Sequence, residues 1–271
     1  IIACAHGGTS MAQWSPALRE QGGASLYGAM MRRYEKLGQQ VAGVIWYQGE
    51  SDADKEAAKI YTSNMENLVQ STRDDTGIAQ LPWLIVQLGC HAAAGGEYWN
   101  SIQDQQRLLP NRIKNLDVAP AVDLGIDDGI HISGVGQQAL GQRLARLASR
   151  LVFKDKKEKG GIYLKKATVS HQSPQPGDPE TLVVELEYGN VKGKLQSQGL
   201  PTGFTMIDPD GKAFPCLYKT TLRGNRVRLE TGQPQDLLMT LAVSYGHDRH
   251  PYCNITDSDG MSLPAMQRIP L

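Results

Sequence analysis

Asp128 and His131 stand three residues apart in the stretch Asp127-Asp128-Gly129-Ile130-His131. Their types are those of a general base and the carboxylate that orients it. An imidazole that titrates near neutrality can take the proton of a hydroxyl nucleophile, and a carboxylate on its other ring nitrogen fixes the tautomer and stabilises the imidazolium. Gly129 allows the intervening loop to turn tightly. The same short spacing also fits a plain surface loop with an acid and a histidine beside a helix start, so the pair needs company before it means anything.

The elements that would position the pair follow an alternating pattern. Apolar runs at 1–5 (IIACA), 41–47 (VAGVIWY), 83–89 (WLIVQLG) and 116–125 (LDVAPAVDLG) read as buried strands, and helical patterns lie near 25–38, 53–73, 100–112 and 134–152. Strand, helix, strand, helix predicts a parallel sheet with helices on both faces. In such sheets ligands bind beyond the carboxyl ends of the strands. The unusual residues fall in those loops: AHGGTS after the first run, QGESD after the second, GCHAAAGG after the third and DDGIH after the fourth.

After KDKKEKGG at 154–161 the texture changes to short alternating segments separated by Pro, Gly, Asn and Asp: GIYLKKATVS, TLVVELEYG, FTMIDPDG, RVRLETG and LLMTLAVSYG. These predict a small antiparallel β domain, a sandwich. The expected organisation is an α/β domain over 1–153, a linker over 154–161 and a β-sandwich domain over 162–271.

Composition sets the outer bounds. The chain has 271 residues, with 28 basic and 28 acidic, so it carries no broad electrostatic footprint for nucleic acid or an anionic membrane. No apolar run approaches the roughly 20 residues of a membrane span. Cys4, Cys90, Cys216 and Cys253 are widely spaced and form no metal knuckle or redox motif. Cys4, inside an apolar run, reads as a small buried hydrophobe, and a Cys216–Cys253 bridge is open but not implied. No phosphate-binding glycine loop and no metal-ligand pattern is present, and no cofactor is expected.

Three ordered blocks, ACAHGGTSMAQWSP, VIWYQGESDA and DDGIHISGVGQQALG, together with the ending YGHDRHPYCNITDSDGMSLPAM, resemble the sialate O-acetylesterase-like branch of the SGNH hydrolases. The resemblance implies a flavodoxin-like, three-layer α/β domain that hydrolyses acetyl esters on carbohydrates by a Ser-His-Asp mechanism. It implies Asp128 and His131 as acid and base, and Gly8 and Gln48 as oxyanion donors. Gly49 and Glu50 complete the Gln-Gly-Glu block. Glu50 cannot donate when ionised, so its expected task is to accept from backbone and steady the loop. The implied partner is an O-acetylated carbohydrate, and the implied location is secreted or periplasmic.

The nucleophile is where the sequence departs from that family. Its Gly-x-Ser-Asn block would precede IIACA and does not occur in this sequence. The chain also opens abruptly on an apolar run, so the expectation is a serine supplied by an N-terminal companion segment outside this chain. In the flavodoxin-like order 2-1-3-4-5 that segment would also hold the central strand. Ser10 and Ser51 lack the elbow context of a nucleophile and read as loop or helix-capping residues.

His6, His91 and Trp14 sit on the expected rim and are candidates for substrate contact; either histidine equally fits a local hydrogen bond. Trp46, within a strand run, reads as core. His247, Asp248, His250, Asp257 and Asp259 crowd a short span, yet the loop lacks the later Glu of a calcium site and reads as polar β-domain structure. Asn254-Ile255-Thr256 is a formal glycosylation sequon. The principal alternative to an esterase is a non-catalytic carbohydrate-binding or interaction protein on the same fold.

Overall fold

The structure, a computed structural model, describes residues 1–93, 97–172 and 181–271. In chain order the first elements are α1 (Leu26–Lys36), β1 (Val44–Trp46), α2 (Lys55–Thr76), β2 (Trp83–Gln87), α3 (Trp99–Leu108), β3 (Leu116–Pro120) and α4 (Gly134–Leu151). The chain divides into two compact units: Ile1–Leu88, Ala94–Val118 and Leu144–Glu158 form one, and Gly89–Ala93, Ala119–Arg143 and Lys159–Leu271 form the other.

The parallel strands run in the order β1-β2-β3. β1 and β2 run parallel with Val44 opposite Trp83 and Trp46 opposite Ile85. Every residue of β2 and β3 is buried, as strands covered on both faces require. Both flanking helices start on designed caps. Ser25 accepts from the Gly28 N–H at the start of α1, and Asp54, rather than the expected Ser51, accepts from Glu56 and Ala57 at the start of α2. Helix α1 turns Tyr27, Met31 and Tyr34 inward at three- and four-residue spacing, and α2 does the same with Ala58, Tyr61, Met65, Leu68 and Thr72. Gly77, at a φ of 69°, ends α2 in the left-handed region where a side chain would be strained.

One predicted strand does not form. Ile1–Ala5 has no strand structure and alternates between exposed and half-buried. An apolar run becomes a strand only against an edge, and β1 at the end of the sheet bonds to β2 alone. Cys4, expected in a core, is accordingly only half-buried.

The second unit carries β4 (Tyr163–Gln172), β5 (Thr181–Gly189), β6 (Leu195–Ser197), β7 (Phe204–Ile207), β8 (Ala213–Phe214), β9 (Leu217–Arg223), β10 (Arg226–Thr231), the single-turn α5 (Gln235–Leu238), β11 (Ala242–Tyr245), β12 (Ile255–Asp257) and β13 (Met266–Pro270). They form antiparallel sheets in the orders β4-β5-β10-β9, β13-β11-β7-β8 and β12-β6. Alternation aims alternate residues inward: Leu186 faces Val227, and Val184 faces Leu229, across β5 and β10. The Phe204 and Tyr245 rings meet at a tilt across β7 and β11, centres 4.7 Å apart, and the Tyr188 hydroxyl reaches the Met266 sulfur of β13 at 3.9 Å. The run LLMTLAVSYG, read as one strand, is a helical turn followed by β11, because Pro234 opens that turn, Leu238 buries within it and Leu241 buries just after it.

Candidate active site

The Asp128–His131 loop is built locally. Ile126 and Ile132 pair as a short antiparallel bridge, the Asp127 N–H donates to the His131 carbonyl at 3.0 Å, and the Ser133 N–H to that of Gly125 at 2.8 Å. Within this hairpin the Asp128 Oδ1 accepts the N–H groups of Ile130 and His131, each at 2.8 Å. Its Oδ2 meets His131 Nδ1 at 2.7 Å. The two backbone donors, followed by the imidazole, draw the Asp128 carboxyl down to about 2. The carboxylate is therefore charged throughout the neutral range, and with Nδ1 engaged, Nε2 is the atom that would take a proton. The Gly129 carbonyl accepts from Ala92 and Ala93, and a Cβ at Gly129 would stand 3.0 Å from that of Ala93, so glycine lets the loop lie against its neighbour. Both side chains are largely exposed, His131 at 71% and Asp128 at 54%.

The glycine and amide residues form a separate network within the first unit. Gly8 turns at a φ of 67° and is exposed, and its N–H has no partner among the described residues. The loop after it is tied down by Thr9, whose hydroxyl donates to the His6 carbonyl at 2.9 Å and accepts from the Trp14 indole at 3.0 Å. Gln48 is buried. Its Nε2 donates to the Thr9 carbonyl at 3.0 Å and, more closely, to the Asp52 carboxylate. Asp52, 2% exposed, also accepts the Met11 N–H at 2.9 Å. Burial pushes its carboxyl up, with the Gln48 and Met11 hydrogen bonds pulling the other way. The Gln48 carbonyl in turn accepts from the Tyr61 hydroxyl and from Gln106.

This geometry corrects the role expected of Gln48. Both of its amide hydrogens are already spent, on Thr9 and on Asp52, and turning the amide over would set its oxygen against two acceptors. Gln48 buckles the Gly8 loop to the Glu50–Asp52 turn, while the Gly8 N–H stays without a partner among the described residues. Gly49 permits the buckle: at a φ of 149°, a Cβ there would lie 2.9 Å from Ile102 and 3.0 Å from Gln106. Glu50 opens the turn that carries Asp52.

A family model for carbohydrate esterases, the sialic acid-specific acetylesterases, matches residues 1–150. The chain belongs to this family. A probable carbohydrate esterase from Arabidopsis thaliana is 33% identical over 151 residues, 54% of this chain and 54% of its own length, so the chain spans about half the length of that curated relative. Among solved structures, a carbohydrate acetylesterase from Xanthomonas citri superposes with a TM-score of 0.75 at 23% identity, over 96% of this chain and 58% of the other. That likeness carries the mixed α/β fold.

Within this family member the remaining candidates divide. His6 is exposed. His91 is not on a rim: it is 3% exposed, its N–H donates to the Arg249 carbonyl at 2.8 Å, and burial, followed by the Arg249 charge, lowers its pKa. Trp14, expected to offer a face to a sugar, is buried edge-on against Trp46, with ring centres 5.1 Å apart. Its indole serves the Thr9 loop instead. Trp46 is core, as expected. Ser10 directs its N–H and hydroxyl to the Gln13 side chain and reads as a turn residue. Ala94, Gly95 and Gly96 of the GCHAAAGG loop lie outside the described residues.

In the second unit, Asp257 accepts the N–H groups of Lys192, Asp259 and Met261, so the acidic loop is held by its own backbone. No metal-binding group occurs among the described residues. The sequon nitrogen of Asn254 is already donated to the carbonyls of Gln198 and Leu200. All four cysteines are free thiols, Cys216 and Cys253 included. Asp52 is the residue that sequence reasoning overlooked. It lies in the quoted QGESD block, but its partner Met11 is 41 positions away.

Proposed function

We propose that the complete protein is a serine esterase of SGNH type that removes acetyl groups from carbohydrates, with the serine supplied by a segment not in this chain. The observation that carries the reading is the 2.7 Å contact between Asp128 and His131 Nδ1 on a loop whose backbone holds the carboxylate charged. Family membership supports an ester bond of a carbohydrate as the target. The serine hydroxyl loses its proton to His131 Nε2 as its oxygen bonds to the acetyl carbon. Backbone N–H donors would stabilise the oxyanion, an interaction worth a few kcal/mol. Collapse breaks the bond to the sugar oxygen, which takes the proton from His131. Water then repeats the sequence on the acyl-enzyme, releasing acetate and restoring the serine. In the same reading, the C-terminal sheets form an accessory β-sandwich.

The test is acetate release from O-acetylated sugars by the complete protein, alongside His131→Ala. The variant should lose activity by at least about a thousandfold, and retained activity would overturn the assignment. Labelling with a fluorophosphonate, followed by peptide mapping, locates the nucleophile. A label on a serine of this chain would refute the external serine. Sugar binding without acetate release by the complete protein would favour the non-catalytic alternative.

A further inference from the structure

In the second unit, two exposed tyrosines lie down on one face of the sheet β4-β5-β10-β9. Leu182, Val184 and Leu186 of β5 are buried, and alternation sets Thr181, Glu185, Glu187 and Gly189 on the opposite face. At one end of that face Tyr163 of β4 pairs with Gly189, and a Cβ on Gly189 would fall 2.3 Å from the Tyr163 ring. The ring therefore rests on the glycine, in space that any side chain would fill, yet Tyr163 stays 50% exposed. At the other end Tyr218 of β9, 59% exposed, donates its hydroxyl to Thr181 Oγ1 of β5 at 3.1 Å. β10 lies between those two strands, and neighbouring strands are about 5 Å apart, so the Tyr218 ring must extend along the sheet. A bulge makes this possible: the register shifts between Glu230 and Thr231, which face Lys219 and Leu217, and Tyr218 is the extra residue.

From these rings and the charges between them we infer that this face binds an acidic polysaccharide, a sugar chain bearing carboxylates. A tyrosine ring lying on a sheet offers a flat apolar surface with a polar tip, which suits the C–H face of a sugar ring whose hydroxyls need polar neighbours. The two rings stand at opposite ends of β5, from Thr181 to Gly189, a separation of about 27 Å at the usual rise per residue. That is the reach of a chain of linked sugars, not of one sugar. Choosing a carbohydrate occupant rests on the esterase reading, in which such a face would anchor the polymer that carries the ester.

Charge selects the acidic kind. Each glutamate on this face is answered by a cation: Arg226 reaches Glu185 at 2.7 Å and Glu187 at 3.1 Å, Lys165 reaches Glu187 at 2.8 Å, and Lys219 lies 3.6 Å from Glu230. Lys166, Arg223 and Arg228 stand on the same face, opposite Glu187, Arg226 and Glu185, and their side chains have no partner among the described residues. The face thus holds a surplus of positive charge on a chain whose net charge is zero. A carboxylate suits a free guanidinium, which can meet it through two N–H groups. A nucleic acid duplex, with one phosphate charge per roughly 1.7 Å, would set its dense charge against three glutamates. A protein partner would want an apolar centre, whereas here the aromatic rings are at the ends and the centre is charged.

The experiment is calorimetry with this chain against polygalacturonate, the same polymer fully methyl-esterified, free galacturonic acid and single-stranded DNA. Polygalacturonate should bind saturably, at least about tenfold more tightly than its methyl ester, and more weakly as salt rises. The single sugar should show no saturation. Tyr163→Ala and Tyr218→Ala should each weaken the polymer at least about fivefold, and Tyr163→Phe, which keeps the ring on Gly189, should restore binding. Arg228→Gln should weaken binding about threefold or more with an unchanged thermal midpoint, so the charge is tested even where a tyrosine variant loses its fold. No binding of polygalacturonate would overturn the inference, as would equal binding of its methyl ester. DNA that binds as tightly and ignores the tyrosine variants would mean a generic anion patch and would overturn it too. Acetate release is not measured, so failure here is separable from failure of the esterase reading.

Discussion

Removing the Asp52 carboxylate tests whether the buckle between the Gly8 loop and the Glu50–Asp52 turn is held as described. Asp52→Ala strips the acceptor from two buried donors, the Met11 N–H and one hydrogen of Gln48 Nε2. A buried donor left unpaired costs about 1–3 kcal/mol, and removing a desolvated carboxylate returns part of that sum. The expected net loss is about 2–4 kcal/mol. Asp52→Asn should cost less, about 1–2 kcal/mol, because its Oδ1 still accepts from Met11 while its NH₂ confronts that of Gln48. Urea unfolding followed by tryptophan fluorescence is the natural assay, since Trp14, Trp46, Trp83 and Trp99 all lie in the first unit.

The same residue fixes a pH dependence. Burial raises the Asp52 carboxyl above its ordinary 3.8, so between that value and the raised one the folded protein binds more protons than the unfolded chain. The contribution of Asp52 to stability therefore falls as pH rises through that window, and is level above it. Asp52→Asn should lack this slope. Two results would refute the account: a loss below about 0.5 kcal/mol for Asp52→Ala, or parallel pH slopes for the wild type and Asp52→Asn.

Other perturbations test other parts of the site. Gly49→Ala puts a Cβ 2.9 Å from Ile102 at a φ of 149°, and should destabilise the first unit by about 2–3 kcal/mol in the same fluorescence assay. Arg143 is buried in the second unit, bonded through two nitrogens to Asp123 and also to the carbonyls of Pro120 and Gly260; Arg143→Ala should cost about 3–5 kcal/mol, read by calorimetric unfolding. Asp128→Asn keeps an oxygen for the Ile130 and His131 N–H groups but removes the charge beside the imidazole. Because the Asp128 carboxyl lies near 2 in the fold, its stabilisation is present above the ordinary 3.8 and is lost as pH falls toward 2; the difference in thermal midpoint between wild type and Asp128→Asn should shrink across that range.

What the sequence disclosed and what it concealed divide along chain distance. The helices were legible because their apolar periodicity is local, and the Asp128–His131 loop was legible because acid, glycine and histidine lie within one turn. Asp52 was not, since its meaning depends on Met11 and Gln48 meeting across the sheet's loops. Trp14 looked like a sugar platform until Trp46 and Thr9 covered it, and neither neighbour can be read from the residues around it. Ile1–Ala5 is the clearest case. Its composition is that of a buried strand, but composition supplies only the propensity, while the hydrogen bonds must come from an edge beside it. The sheet ends at β1, and an apolar groove lies between β1 and this segment, so the two have no bond to share.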